Sequence, residues 1–204
     1  MGGRRERGIS IVSDFAPSIR TAYVGLDNQS AGRTAAYLLG RFCRETEGSV
    51  AVIAGSRIYR AHTEREMRFQ SLIEEQFPKL HIVGLREGHD DRDENYRHTL
   101  ALLDQTKDLV GIYNVGGSSD GIPRALRERD CGDKVVFIGH GLSTDTRRLL
   151  LDGTMDAVIN SDPDLVITAA LAASSPAQPD RSGNGLSVAP LKMDIFLREN
   201  LPSR

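Results

Sequence analysis

Tryptophan is absent from this 204-residue chain, cysteine occurs twice, and aromatic residues make up only 5% of it. Two cysteines cannot build a disulfide framework, and Cys43 and Cys131 lie too far apart in sequence for a metal-ligand pair, so both read as free thiols. No run approaches the ~18 apolar residues of a membrane-spanning helix. The charged start, MGGRRERG, has no apolar stretch behind it and does not read as a secretory signal. It reads instead as a non-native or disordered tail over residues 1–9. A formal net charge of -2 leaves no overall positive field with which to hold a nucleic-acid backbone.

What the chain does contain is alternation. Residues 135–160, VVFIGHGLSTDTRRLLLDGTMDAVIN, read as strand, short helix, strand. The first apolar run suits a strand covered on both faces, Ser143 or Thr144 can cap the helix, and Gly153 stands where a left-handed stop is wanted. The same unit recurs along the chain. Strands are expected at 50–54, 80–85, 109–115, 135–138 and from 157, each followed by a helix, the last opened by Asp162 and Pro163. That order predicts an α/β fold with a doubly wound parallel sheet and right-handed crossovers. Upstream, short strands at 9–12 and 22–26 precede a helix whose apolar residues Ala31, Ala35, Leu38, Leu39 and Phe42 fall on one face. The stretch 174–185, SSPAQPDRSGNG, reads as a flexible loop, and 191–202 alternates like a terminal strand.

In open α/β sheets the ligand crevice lies at the carboxyl ends of the strands, which places His140 and residues 160–162 at a site. The turn 113–121, YNVGGSSDG, lacks the spacing and the lysine of a phosphate loop. Its glycines read as a tight turn with positive φ, and Asn114 as a carboxamide that can both donate and accept. A nucleotide-using enzyme rests on that turn alone. The sequence GHGLS has glycine where a hydrolase elbow needs its nucleophile. The acidic run 88–93 does not match a calcium loop and reads as the cap of the next helix. Among the arginines near residue 60, a guanidinium fork suits paired hydroxyls or a carboxylate.

Five stretches together resemble the effector-binding domain of LacI-type transcriptional regulators, and hence the type I periplasmic sugar-binding proteins. They are YVGLDNQSAGRTAAYLLGRF, GSVAVIAGS with HTEREMRF, DLVGIYNVGGSSDGIPRAL, VVFIGHGLSTDTRRLLLDGTMDAVINSDP, and LRENLP. The resemblance implies a two-lobed type I periplasmic-binding-protein-like fold with a small polar molecule between the lobes. Carried over by position, it implies ligand contacts from Arg65, Asn114, His140, Ser161, Asp27 and Asn28, and neither cofactor, metal nor catalysis. The sequence departs from the resemblance at Gly141, where relatives often carry an acidic residue, and at Ser161, where many carry an amide. Relatives also have about three further βα units before residue 9, so the first lobe is expected to be incomplete.

The domain organisation expected is a remnant of the first lobe at 10–47, a second lobe at 48–161, a return to the first lobe at 162–190, and a terminal strand on the second lobe at 191–204. The resemblance implies an effector-sensing, cytoplasmic regulator, homodimeric when full length, whose DNA contact is made by a helix-turn-helix outside this sequence. The alternative is the substrate-binding protein of a sugar ABC transporter. An incomplete first lobe is expected to leave apolar helix faces exposed.

Overall fold

A computed structural model describes residues 8–14, 22–43, 47–174 and 190–203. In its large sheet all seven residues of β3 (Gly48–Ala54) are buried. Helix α2 (Arg60–Gln76) leads to β4 (Leu80–Glu87), α3 (Arg92–Gln105) to β5 (Leu109–Asn114), α4 (Gly121–Glu128) to β6 (Val136–His140), and α5 (Thr144–Leu151) to β7 (Ala157–Asn160). These strands pair in parallel in the order β4, β3, β5, β6, β7, and β8 (Asp194–Phe196) closes the edge antiparallel to β7. Strand alternation divides the core into two layers. Val50, Val52, Tyr113, Ile138 and Ile159 face one helical layer with Phe69 and Ile73, and Ala51, Ile53, Ile112, Phe137 and Val158 face the other with Leu102, Leu126 and Leu149.

Local chemistry sets the boundaries. Ser143 and Thr146 form a reciprocal capping box at the start of α5. Gly153 follows that helix at φ +78° as its left-handed stop. Asp91 accepts from the Glu94 amide at 2.8 Å to open α3, so the acidic loop is a cap. Asp162 accepts from the Asp164 amide at 2.9 Å at the head of α6 (Pro163–Ser174).

Near the N-terminus, β1 (Ile9–Ile11) and β2 (Ala22–Val24) form a separate parallel pair, and α6 returns to pack on them through Val166 and Ala173 against Val24. Leu191 joins this small cluster and donates its amide to Gly25 at 2.9 Å. Leu165, Ile167 and Leu171 of α6 stay exposed, as expected of a helix with little sheet to cover. The loop expected at 174–185 lies, apart from Ser174, outside the described residues, as does all but the end of the tail at 1–9.

Two expectations need correction. The helix α1 (Asn28–Cys43) does not belong with the first lobe, because Ala31, Ala35, Ala36 and Leu39 pack into the large sheet's core beside Val50, Phe69 and Tyr113. The structural divide therefore falls near residue 27. Its buried face is also rotated from the one read from the apolar spacing: Gly32, Ala36 and Gly40 are inside, while Phe42 is 39% exposed. Small residues are needed there because α1 lies almost on α2. A Cβ at Gly32 would stand 2.2 Å from the Arg65 carbonyl oxygen, and one at Gly40 would stand 2.5 Å from the Phe77 ring.

Gly32→Ala should therefore destabilise the protein by about 1–3 kcal/mol in urea unfolding, because forced separation of two packed helices outweighs the ~1 kcal/mol by which alanine favours a helix.

Candidate functional site

The carboxyl ends of β5, β6 and β7 open onto a hollow of about 440 Å³. Its wall is made by the loop 117–120, by His140, Gly141 and Ser143 after β6, and by Asn160 and Ser161 after β7, with Arg92 at the rim. The rim charges are paired: Arg92 meets Asp120 at 2.6 Å, and Asp145 meets Arg148 at 3.6 Å.

Of the six residues implied by the resemblance, His140 and Ser161 line this hollow. Asn114 lies one layer behind, and its amide nitrogen donates to the Gly117 carbonyl at 3.1 Å and to Ser119 Oγ at 2.8 Å. It braces the loop that forms the wall. Asp27 is exposed and caps α1, accepting from the Gln29 and Ser30 amides and from Ser30 Oγ, interactions that hold its carboxyl below its usual range. Arg65 and Asn28 form a buried pair, the guanidinium Nε donating to Asn28 Oδ1 at 2.8 Å. Nη1 of Arg65 donates to the Val115 carbonyl at 3.2 Å, one residue past the end of β5.

The glycines of the 113–121 turn are not there for positive φ. Ser118 takes that conformation, at φ 49°. Gly116 is required by close approach, since a Cβ there would come within 2.4 Å of an Asp90 carboxylate oxygen and 2.6 Å of the Gly55 nitrogen. Asp90 in turn accepts from the Gly117 amide at 2.6 Å, and Ser118 Oγ donates to the Asp90 carbonyl.

Tyr113 was not among the residues singled out by sequence, because it reads as an ordinary apolar strand position. Its ring is wholly buried and stacks on Phe69 at 4.5 Å. Its hydroxyl lies 2.7 Å from His140 Nε2. Burial raises the phenol's pKa, so the hydroxyl keeps its proton, and among the described residues its one acceptor is that nitrogen. The proton on His140 then belongs on Nδ1, and the imidazole is fixed as a donor on that side. Burial, the Arg65 guanidinium and His62 together hold the His140 pKa well below the ordinary value of 6.5. His62, lowered by burial and by Arg65, shares Nδ1 with the Ser56 backbone.

The hollow offers the hydroxyls of Ser118, Ser119, Ser143, Thr146 and Ser161, the Asn160 carboxamide and one oriented imidazole. Two βα lobes with a polar hollow at the strand ends define an α/β binding protein. The chain belongs to the periplasmic binding protein domain family, whose model matches residues 5–175.

Among solved structures, the chain is similar to GanP, a glucose-galactose binding protein from Geobacillus stearothermophilus, at 23% identity and a TM-score of 0.82, covering 97% of this chain and 69% of that one. AraP, an arabinose binding protein from the same organism, matches at 25% identity and a TM-score of 0.72, covering 89% and 64%. A carbohydrate transporter solute binding protein from Agrobacterium radiobacter, in complex with D-arabinose, matches at 22% identity and 0.81, covering 94% and 66%. The chain thus spans about two thirds of the length of these relatives. A comparison with curated proteins returned no match.

Because His140 and His62 are both lowered, the unfolded chain binds more protons than the native one below the ordinary value of 6.5. Their contribution to native stability should therefore be complete above pH ~6.5–7 and fall as pH drops below it, opposed in sign by exposed His89, which its hydrogen bond to Glu94 raises. His140→Gln should flatten that slope when urea midpoints are compared between pH 7.5 and 5.5.

Proposed function

We infer that this chain is the ligand-binding part of a solute receptor of the kind that serves sugar transporters, and that it takes a small hydroxylated molecule of the sugar class in the hollow beside His140. The carrying observation is the placement of that hollow: polar groups from three successive strand ends converge on it, in a fold that solved sugar-binding proteins share with TM-scores up to 0.82 among those named. Ser119, His140, Asn160 and Ser161 supply both donors and acceptors, as the hydroxyls of a sugar demand.

A regulator of the LacI type is the second reading, and it keeps the support of the sequence stretch 135–163. It carries with it a cytoplasmic location, a homodimer and DNA contact through a helix-turn-helix. The solved relatives named are sugar-binding proteins, one of them an explicit transporter component, and this favours the receptor. Coding sequence immediately upstream of Met1 discriminates: a helix-turn-helix supports the regulator, and a signal peptide or lipobox supports the receptor.

Isothermal titration of the chain against hexoses, pentoses and their acids should find at least one ligand near micromolar affinity, about -8 kcal/mol. His140→Ala should weaken that ligand by roughly tenfold, the worth of one good hydrogen bond in a dry site. Flat titrations across the panel would end the sugar reading.

A further inference from the structure

Three side chains that line the hollow, Ser119, His140 and Asn160, stand at the ends of neighbouring strands β5, β6 and β7, and each has an acceptor engaged inside the protein. Nε2 of His140 faces the Tyr113 hydroxyl at 2.7 Å. Oδ1 of Asn160 accepts the Leu142 amide at 2.8 Å, and because a backbone N–H can only donate, the Asn160 nitrogen is the end left over. Oγ of Ser119 accepts from Asn114 Nδ2 at 2.8 Å. The Gly117 carbonyl, 3.1 Å from the same nitrogen, fixes which way that carboxamide points, so Ser119 keeps its own hydrogen to give.

The setting of His140 comes from a residue that does not line the hollow. Tyr113 is wholly buried against Phe69, and among the described residues its hydroxyl has no partner but His140. A buried O–H must donate somewhere, so Nε2 is the acceptor and the ring carries its proton on Nδ1. Among the described residues Nδ1 has no hydrogen-bond partner, which leaves it to whatever fills the hollow. The carboxylates of the lining are elsewhere and already paired, Asp120 with Arg92 and Asp145 with Arg148.

We propose that Tyr113 is a positioning residue that sets His140 as a hydrogen-bond donor, so that the hollow receives an acceptor oxygen of its ligand at the end of β6, between the donors of Ser119 and Asn160. This rests on the sugar-class reading above and names how the hollow reads such a ligand. A ring, carbonyl or hydroxyl oxygen fits that point, whereas a group with only N–H to offer would face another N–H.

The proton on His140 is read in ligand-free protein by long-range 1H–15N NMR at pH 7.5, with His140→Gln identifying the signals. The ring should be neutral and protonated on Nδ1. Tyr113→Phe keeps the aromatic stack and removes only the hydroxyl, so neither tautomer is enforced and both should be populated. A ring protonated on Nε2, or a pure Nδ1–H form that survives Tyr113→Phe, would overturn the proposal whatever the ligand.

D-Galactose and D-arabinose serve as probes of the bound state. With a bound sugar the Nδ1 proton should move downfield as it is donated, and an unmoved signal would overturn the proposal while leaving the sugar reading intact. By calorimetry, Tyr113→Phe should weaken that sugar by about three- to tenfold, and should add nothing in a His140→Ala background because it acts through the imidazole. Equal losses in both backgrounds would make Tyr113 a core residue only and overturn the proposal. If neither sugar binds, the sugar reading is what suffers, and the ligand-free spectrum still decides the part played by Tyr113.

Discussion

The guanidinium of Arg65 must find hydrogen-bond acceptors inside the protein, and the geometry of the site end follows from where it finds them. On α2 it reaches across to Asn28 on α1 and down to the carbonyl of Val115 at the end of β5. Asn28 passes the connection on, donating through Nδ2 to the Tyr23 hydroxyl at 3.0 Å. That hydroxyl lies 3.0 Å from the Leu26 carbonyl and 3.1 Å from that of Val12. One buried charge thus ties two helices and the large sheet to the small β1–β2 pair. A buried cation left without these partners would be unfavourable by several kcal/mol, so the network holds as a unit.

Such a short reach requires the helices to lie close, which explains the small residues of α1. With side chains at 32 and 40 the α1–α2 distance would grow, and a 2.8 Å bond between Arg65 and Asn28 would be lost with it. The stripe of glycine and alanine is therefore part of how the charge is solvated, and not only of how the core is filled. It also accounts for the exposure of Phe42, since the face with the largest apolar residues is not the face that can approach α2.

The same features decide what could be read from sequence. Continuous apolar runs in the strands, caps at Ser143, Asp91 and Asp162, and the stop at Gly153 are local signals, and they place the βα series and its sheet correctly. The packed face of α1 is not local. It depends on a partner helix more than thirty residues away in sequence, and an apolar-spacing argument finds Ala31, Ala35 and Leu39 but adds Phe42 and misses the glycines that the contact needs. For the site, strand-end topology locates His140 and Ser161 at the hollow. Asn114 and Asp27 carry ligand-like side chains whose capacity is engaged by nearby backbone, which composition cannot reveal. Tyr113 escaped notice for the opposite reason: a tyrosine inside an apolar strand looks like core until its hydroxyl is seen beside an imidazole.

Backbone strain is distributed along the sheet axis in a way that matches this division. Positive φ at Asp130 and Gly153 occurs at helix stops on the amino-terminal side of the strands, where left-handed residues are ordinary. At the carboxyl ends of the large sheet the residues His89, Asp90 and Ser118 adopt it without being glycine, as does Val12 after β1 of the small pair. His89, Asp90 and Ser118 belong to two loops locked together by the Asp90 carboxylate on the Gly117 amide and by Asn95 Nδ2 on the Ser118 carbonyl at 3.0 Å. Asn95 Oδ1, buried and without a hydrogen-bond partner among the described residues, sits where only a glycine at 88 leaves room. Strained residues and an unsatisfied acceptor, each unfavourable by about 1–3 kcal/mol, persist only where surrounding structure over-determines them. Here the surrounding structure braces the loop 117–120 that forms part of the wall of the hollow, and a loop so held needs less ordering at the moment of binding.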